Sequence, residues 1–257
     1  MTSLLSELLS IAQLWLTSGI AIFLRIGTAA ILLPGFGESF IPTRVKLVAA
    51  LAFTVILLPM VDVTVLEGGR ILPPVNIFLS EMVIGVLLGI GLRLLVHALQ
   101  IAGSMAAQAT SLAQFGAGVT PDPQPAISAV LMLSGLALAV ASGLHVHLAT
   151  AMLNSYEVFP LGTGIFASDL GHWGVRRVAD VFSLAFSLAA PFLIGALLYN
   201  LALGVVSKAM PQLMVAFVGA PAITWAALAL LLVTAPLILP FWYQALLRAM
   251  ANPWGAI

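Results

Sequence analysis

The sequence predicts an all-α membrane protein of about six apolar helical segments, and three observations predict it. Hydrophobic residues make up 62% of the 257-residue chain and charged ones only 7%, too little polar material to cover a soluble domain. The mean hydropathy is +1.17. The apolar residues lie in continuous blocks that meet or approach the roughly 20 residues a helix needs to cross hydrocarbon, without the short alternating segments of a membrane β-barrel. With no long polar stretch, residues 1–257 read as a single domain.

Charge narrows the partners. Nine basic residues balance nine acidic ones, which gives no reason to expect nucleic acid. The absence of Cys excludes disulfides, thiolate catalysis and Cys-based metal sites. No Lys or Arg precedes Arg25, so the basic start of a cleaved signal is missing and the first block is expected to stay in the mature protein.

Six blocks follow in order. Residues 8–34 carry Arg25 and close on Pro34; residues 45–61, just after Arg44, are short for a span; residues 75–107 are too long for one and hold Glu81, Arg93 and His97. Residues 126–153, 181–206 and 213–240 complete the set. Pro191, Pro221 and Pro236 fall inside apolar runs and predict kinked or broken helices. Assigned alternately, the connectors place Arg44, Lys46 and Lys208 on one side against Arg70, Arg176, Arg177 and Arg248 on the other. That is too even for the positive-inside rule to set an orientation.

Polar residues inside apolar blocks carry the most information, because an ionisable group in hydrocarbon is costly and faces a cavity or a protein neighbour. At about 100° per residue, Arg93, His97, Gln100, Ser104, Gln108 and Ser111 fall within a sector of about 80°. The stripe is about 27 Å long, close to the hydrocarbon thickness. It reads either as hydrogen-bonding glue between helices or as the wall of an aqueous path. Both readings require company. Glu81 lies about 120° around the helix from Arg93 and over three turns away, so each is expected to find its partner on another helix. His145 and His147 point to different helix faces and read as structural hydrogen-bonding groups, not as a metal site. No Ser/His/Asp set, paired carboxylate or phosphate-binding glycine loop is evident, so neither an enzyme nor a cofactor is expected.

The stripe runs into QFGAGVTPDPQP, residues 114–125. Pro121, Pro123 and Pro125 exclude helix from about Thr120 onward, while Gly116 and Gly118 add backbone freedom. Non-helical backbone at membrane depth is tolerated where it is buried in protein or lines water. Either a plain turn or a reversible plug formed by Gln114, Phe115, Gly116, Ala117, Gly118, Val119, Thr120, Pro121, Asp122 and Pro123 fits those properties.

Residues 25–59, 80–108 and 190–222 each carry an ordered series of motifs, and together they resemble the FliR family of flagellar type III export-gate proteins. RIGTAAILLPGFGESFIPTRVKLVAALAFTVILLP, residues 25–59, is similar to the family's Arg-containing first helix, I-P-x-R-x-K element and second apolar run closing on Pro. SEMVIGVLLGIGLRLLVHALQIAGSMAAQ, residues 80–108, resembles its E-x-x-I-G-x-x-x-G helix, and APFLIGALLYNLALGVVSKAMPQLMVAFVGAPA, residues 190–222, its N-L-x-L-G and K/R-x-x-P-Q-L series. The injectisome counterpart shares much of this pattern.

The resemblance implies assembly with FliP and FliQ into a gate in the bacterial inner membrane at the flagellar basal body, beside FlhB and FlhA, with unfolded flagellar subunits passing through its pore. It implies a plug in residues 114–123, although this chain has Gly-Val-Thr-Pro before Asp122 where the family commonly has another run. It further implies a FliP-like part over residues 1–180 and a FliQ-like hairpin and tail over 181–257, with Pro211 and Gln212 at the bend. Arg25, Glu81, Arg93, His97 and Lys208 become candidate contacts between subunits or along the pore; Arg44 and Gln212 are further interface candidates. Competing expectations are an injectisome export-gate subunit and a small-solute secondary transporter built on broken helices.

Overall fold

The computed structural model describes residues 2–63, 74–109, 126–164, 167–209 and 215–255. Among the described residues seven α-helices form: α1 (Thr2–Leu32), α2 (Thr43–Leu57), α3 (Pro74–Ala109), α4 (Ala126–Ala141), α5 (Leu144–Val158), α6 (Ala167–Ala209) and α7 (Val215–Ala251). No strand occurs among the described residues. Among the described residues five helices are long and apolar enough to cross a membrane, or six spans if the broken pair α4 and α5 counts as one.

Local chemistry explains the helix ends. Pro34 follows α1 by two residues and biases Leu33 away from helix. Pro42 stands as the N-cap of α2, and Pro59 lies in the short 3-10 turn Leu58–Met60 that closes it. The block at 126–153 is broken between α4 and α5, which meet at a bend of 80°. Gly143 takes φ 83° and ψ 36° there, a left-handed conformation that a glycine adopts without a Cβ penalty. Proline is not the breaker: α6 runs through Pro191, and α7 through Pro221, Pro236 and Pro240. Helix α6 also begins well before residue 181, taking in a more polar first stretch with Arg176, Arg177 and Asp180.

By their contacts the residues form two compact units, with boundaries inside α3, α6 and α7 and between α4 and α5. One comprises Met1–Arg93, Ser142–Arg177 and Leu247–Ile257; the other comprises Leu94–Ala141 and Val178–Leu246. In the first unit, α1 buries Ala21, Ile22, Ile26 and Ala29, the three- and four-residue spacing of one helix face. Gly85 and Gly89 of α3 meet that face: a Cβ at Gly85 would collide with the carbonyl of Arg25, and one at Gly89 would come within 2.7 Å of Leu32. A small-xxx-small pair thus lets two backbones approach closely without relying on the hydrophobic effect.

The second unit uses the same device. A Cβ at Gly103 would collide with the backbone of Ser128, and one at Gly135 would stand 3.2 Å from the ring of Trp242. Trp242 is fully buried, and its indole N–H donates to the Leu95 carbonyl at 2.7 Å. That bond gives the indole the partner a buried tryptophan needs.

Candidate functional site

Three groups of polar side chains stand out among the described residues. The first centres on Arg25, which is 1% exposed, with Glu81 at 0%. Glu81 sits four residues before Gly85 and eight before Gly89, on the face that α3 turns to α1, so its carboxylate enters the one place where α1 offers a cation. Arg25 Nε donates to Glu81 Oε2 at 2.6 Å and Nη2 donates to Oε1 at 3.1 Å, a bidentate pair of the strong, charge-assisted kind.

The remaining donors of Arg25 are also used. Nη1 donates to the Ser155 carbonyl and hydroxyl, both at 3.2 Å, and Nη2 donates to the Phe159 carbonyl at 2.9 Å. The Gly162 backbone N–H donates to Glu81 Oε1 at 3.1 Å, and the Tyr156 ring lies 3.8 Å from the guanidinium carbon. Burying a charge pair is tolerable when geometry and surrounding hydrogen bonds satisfy both groups. Here they do, and α1, α3, α5 and the turn after α5 are tied to one point.

A second cluster adjoins that turn. The Phe159 ring packs edge-on against Trp254 at 4.8 Å, and Trp254 lies 5.4 Å from Trp173. Trp173 Nε1 donates to the Pro253 carbonyl at 3.3 Å; Arg177 Nη2 donates to the same carbonyl and, at 3.2 Å, to that of Gly255. The segment after α7 is thereby clasped to the start of α6. Sequence reading missed this cluster, taking Arg177 only as a connector charge. Its available signal was the aromatic and turn-forming run Asn252-Pro253-Trp254-Gly255 just after an apolar helix.

The third group is the stripe on α3. Its opposite face is buried through Leu92, Leu95, Val96, Leu99, Ala102 and Ala106, whereas Arg93, His97, Gln100 and Ser104 are half-buried and Gln108 is exposed. Arg93 Nη1 lies 3.5 Å from the Gly37 carbonyl, a long contact. His97 Nδ1 and Gln100 Oε1 are 2.5 Å apart; because Oε1 only accepts, Nδ1 is the donor. Gln100 Nε2 faces the thioether of Met132, a weak acceptor, and its backbone carbonyl accepts from the Ser128 hydroxyl at 2.9 Å. A half-open line of polar groups therefore runs along a helix that is otherwise packed.

The structure thus brings Arg25 and Glu81 together inside the chain and keeps Arg93, His97, Gln100, Ser104 and Gln108 in one line. Arg44 and Lys208 are exposed. The loop of residues 114–123, Ser111 and Gln212 lie outside the described residues. His145 is exposed and His147 half-buried, and among the described residues no three His, Cys, Asp or Glu side chains converge to hold a metal.

Comparison with known proteins bears on most of the chain. The family model for bacterial export proteins, family 1, matches residues 16–249. The flagellar biosynthetic protein FliR of Caulobacter vibrioides is 33% identical over 211 residues, covering 78% of this chain and 81% of that protein. FliR of Aquifex aeolicus is 28% identical over 220 residues, 84% of each chain, and FliR of Escherichia coli is 27% identical over 222 residues, 84% of this chain and 82% of that one.

Proposed function

The chain belongs to the bacterial export proteins, family 1, the FliR family, and from that premise we propose that it is a core subunit of the flagellar type III export gate. It is a membrane protein of the flagellar export apparatus. In the proposed gate it assembles with FliP and FliQ, beside FlhB and FlhA, in the bacterial inner membrane, around a pore that passes unfolded flagellar subunits. Residues 1–180 are the FliP-like part of this reading and residues 181–257 the FliQ-like hairpin and tail. Residues 114–123 are the plug.

The observation that carries the reading is the half-open polar line on α3. Polar groups facing lipid are costly, so a line of them on a membrane helix calls for protein or water beside it. Among the described residues the line finds the His97–Gln100 pair and the contacts of Gln100 with Met132 and Ser128, together with the long approach of Arg93 to Gly37. Neighbouring gate subunits or the pore supply the rest.

Native mass spectrometry of the tagged chain, extracted from its host in mild detergent, tests this. Co-purification with several copies of FliP and FliQ is the expected result; a stable lone monomer or homodimer overturns it. The plug makes its own prediction. Deleting residues 116–118 leaves the complex assembled and makes the membrane leak ions, whereas unchanged conductance with normal assembly reduces the loop to a connector.

A further inference from the structure

The turn between α1 and α2 carries a buried charge that the chain leaves unmatched. Glu38 is 8% exposed. Arg25, Glu81 and Arg177, the other charged side chains buried among the described residues, are each hydrogen-bonded inside the chain. Glu38 makes neither a side-chain hydrogen bond nor an ion pair with any described residue, and its carboxylate oxygens share in the small surface that stays accessible. We propose that this turn docks a neighbouring protein subunit, which brings a lysine or arginine to Glu38 and an apolar patch to Phe40. The inference goes beyond the gate reading: it needs a protein neighbour but neither a pore nor a plug.

The turn is built to hold the carboxylate where it is. The Gly37 N–H donates to the Leu33 carbonyl at 2.7 Å, and the Ile41 N–H donates to the Glu38 carbonyl at 3.1 Å. The Phe36 ring packs edge-on against Phe53 of α2 at 5.8 Å. Glu38 is therefore no acid swept loosely through water; its side chain is held in place and stripped of most of its hydration. A carboxylate so placed is costly unless a cation and hydrogen bonds meet it.

The chain's own cations do not meet it. Arg93 comes within 3.5 Å of the carbonyl of Gly37, the residue before, yet forms no ion pair with Glu38. Arg44 and Lys46, further along the chain, form none either. Arg93 heads the half-open line on α3, so Glu38 lies beside the end of a line that calls for protein or water next to it.

Apolar surface points to the same kind of occupant. Phe40 is 66% exposed, and among the described residues it is the exposed aromatic side chain that lies outside a helix. Aromatic residues are enriched where protein surfaces meet. A protein can offer a cation to Glu38 and an apolar bed to Phe40 together, whereas the phosphate of a lipid brings the wrong charge.

The test compares the assembled complex with the chain alone. Glu38→Gln keeps the shape of the side chain and removes its charge. In a dilution series read by native mass spectrometry, the concentration at which half of the tagged chain is free of partners should rise about thirtyfold, the low end for one side of a desolvated charge pair between proteins. Glu157→Gln, at an exposed acid on α5, should leave it unchanged. The melting temperature of the chain alone in detergent should not fall with Glu38→Gln, because no partner inside the chain is lost. A benzophenone carried on Phe40→Cys should link to another subunit of the complex. Three results overturn the proposal: partner binding unmoved by Glu38→Gln, a lowered melting temperature of the chain itself, or a link only to lipid or to this chain's residues 64–73, which include Arg70. An unaltered chain that binds no partner at all overturns the assembly reading as well, whereas a complex that forms equally well with Glu38→Gln overturns this inference alone.

Discussion

Arg25 and the α3 stripe are both polar intrusions into apolar helices, and the chain treats them in opposite ways. Around Arg25 every nitrogen of the guanidinium donates within the same compact unit, and the carboxylate opposite takes a backbone N–H besides. Along α3 the side chains stay half-open, and Gln108 faces outward. The first arrangement holds helices in place. The second leaves polar groups half-open, and in the proposed gate a neighbouring subunit or the pore meets them.

Substitutions should separate the two regions by what they damage. The largest effect is expected at Glu81. Glu81→Ala leaves the Arg25 guanidinium buried without its counter-charge and costs about 3–5 kcal/mol, seen as lost expression or a collapsed melting temperature in detergent. Replacing both partners by apolar residues of similar volume should recover much of that loss. If Glu81→Ala melts like the native chain, the pair is not the clasp described.

A smaller loss is expected from backbone approach. Gly85→Ala pushes a methyl group into the carbonyl of Arg25 and should cost about 1–3 kcal/mol, the usual range for overpacking. Gly27→Ala, at a position with room, should instead stabilise α1 by roughly 0.5–1 kcal/mol. Equal melting shifts at the two glycines would remove the distinction between a packed glycine and an open one.

The stripe should respond least in stability and most in function. Ser104→Leu and His97→Leu are expected to move the melting temperature of the chain little, within about 0.5 kcal/mol, while reducing the recovery of FliP and FliQ with it or the export of flagellar subunits. A stripe substitution that unfolds the chain without touching assembly would make α3 an ordinary internal helix.

Much of this was legible in the sequence, and the limits have physical causes. Block length and hydropathy revealed the membrane class and the all-α fold, because a span must satisfy its own backbone. The stripe was legible because all its members share one helix and helical spacing is local. The pairing of Arg25 with Glu81 was not, since 56 residues separate them and helix periodicity says nothing about which face meets which. Glu81's place in register with Gly85 and Gly89 was the available clue. The break at Gly143 left only the Ser142-Gly143 pair as its signal inside a largely apolar block, while the more conspicuous prolines at 191, 221, 236 and 240 lie within continuous helices. The clasp of Trp173, Arg177 and Trp254 joins residues far apart in the chain and left only a short turn motif to find.

The absence of Cys makes the decisive measurement clean. A single cysteine at Ser104, and in a second chain at buried Ser155, would be tested in the assembled complex with a water-soluble maleimide and with a short cross-linker. The account predicts that the cysteine at 104 is either labelled from water or linked to a neighbouring subunit, while the one at 155 does neither. A cysteine at 104 that reacts only with a lipid-soluble reagent would place the stripe against lipid and contradict the account.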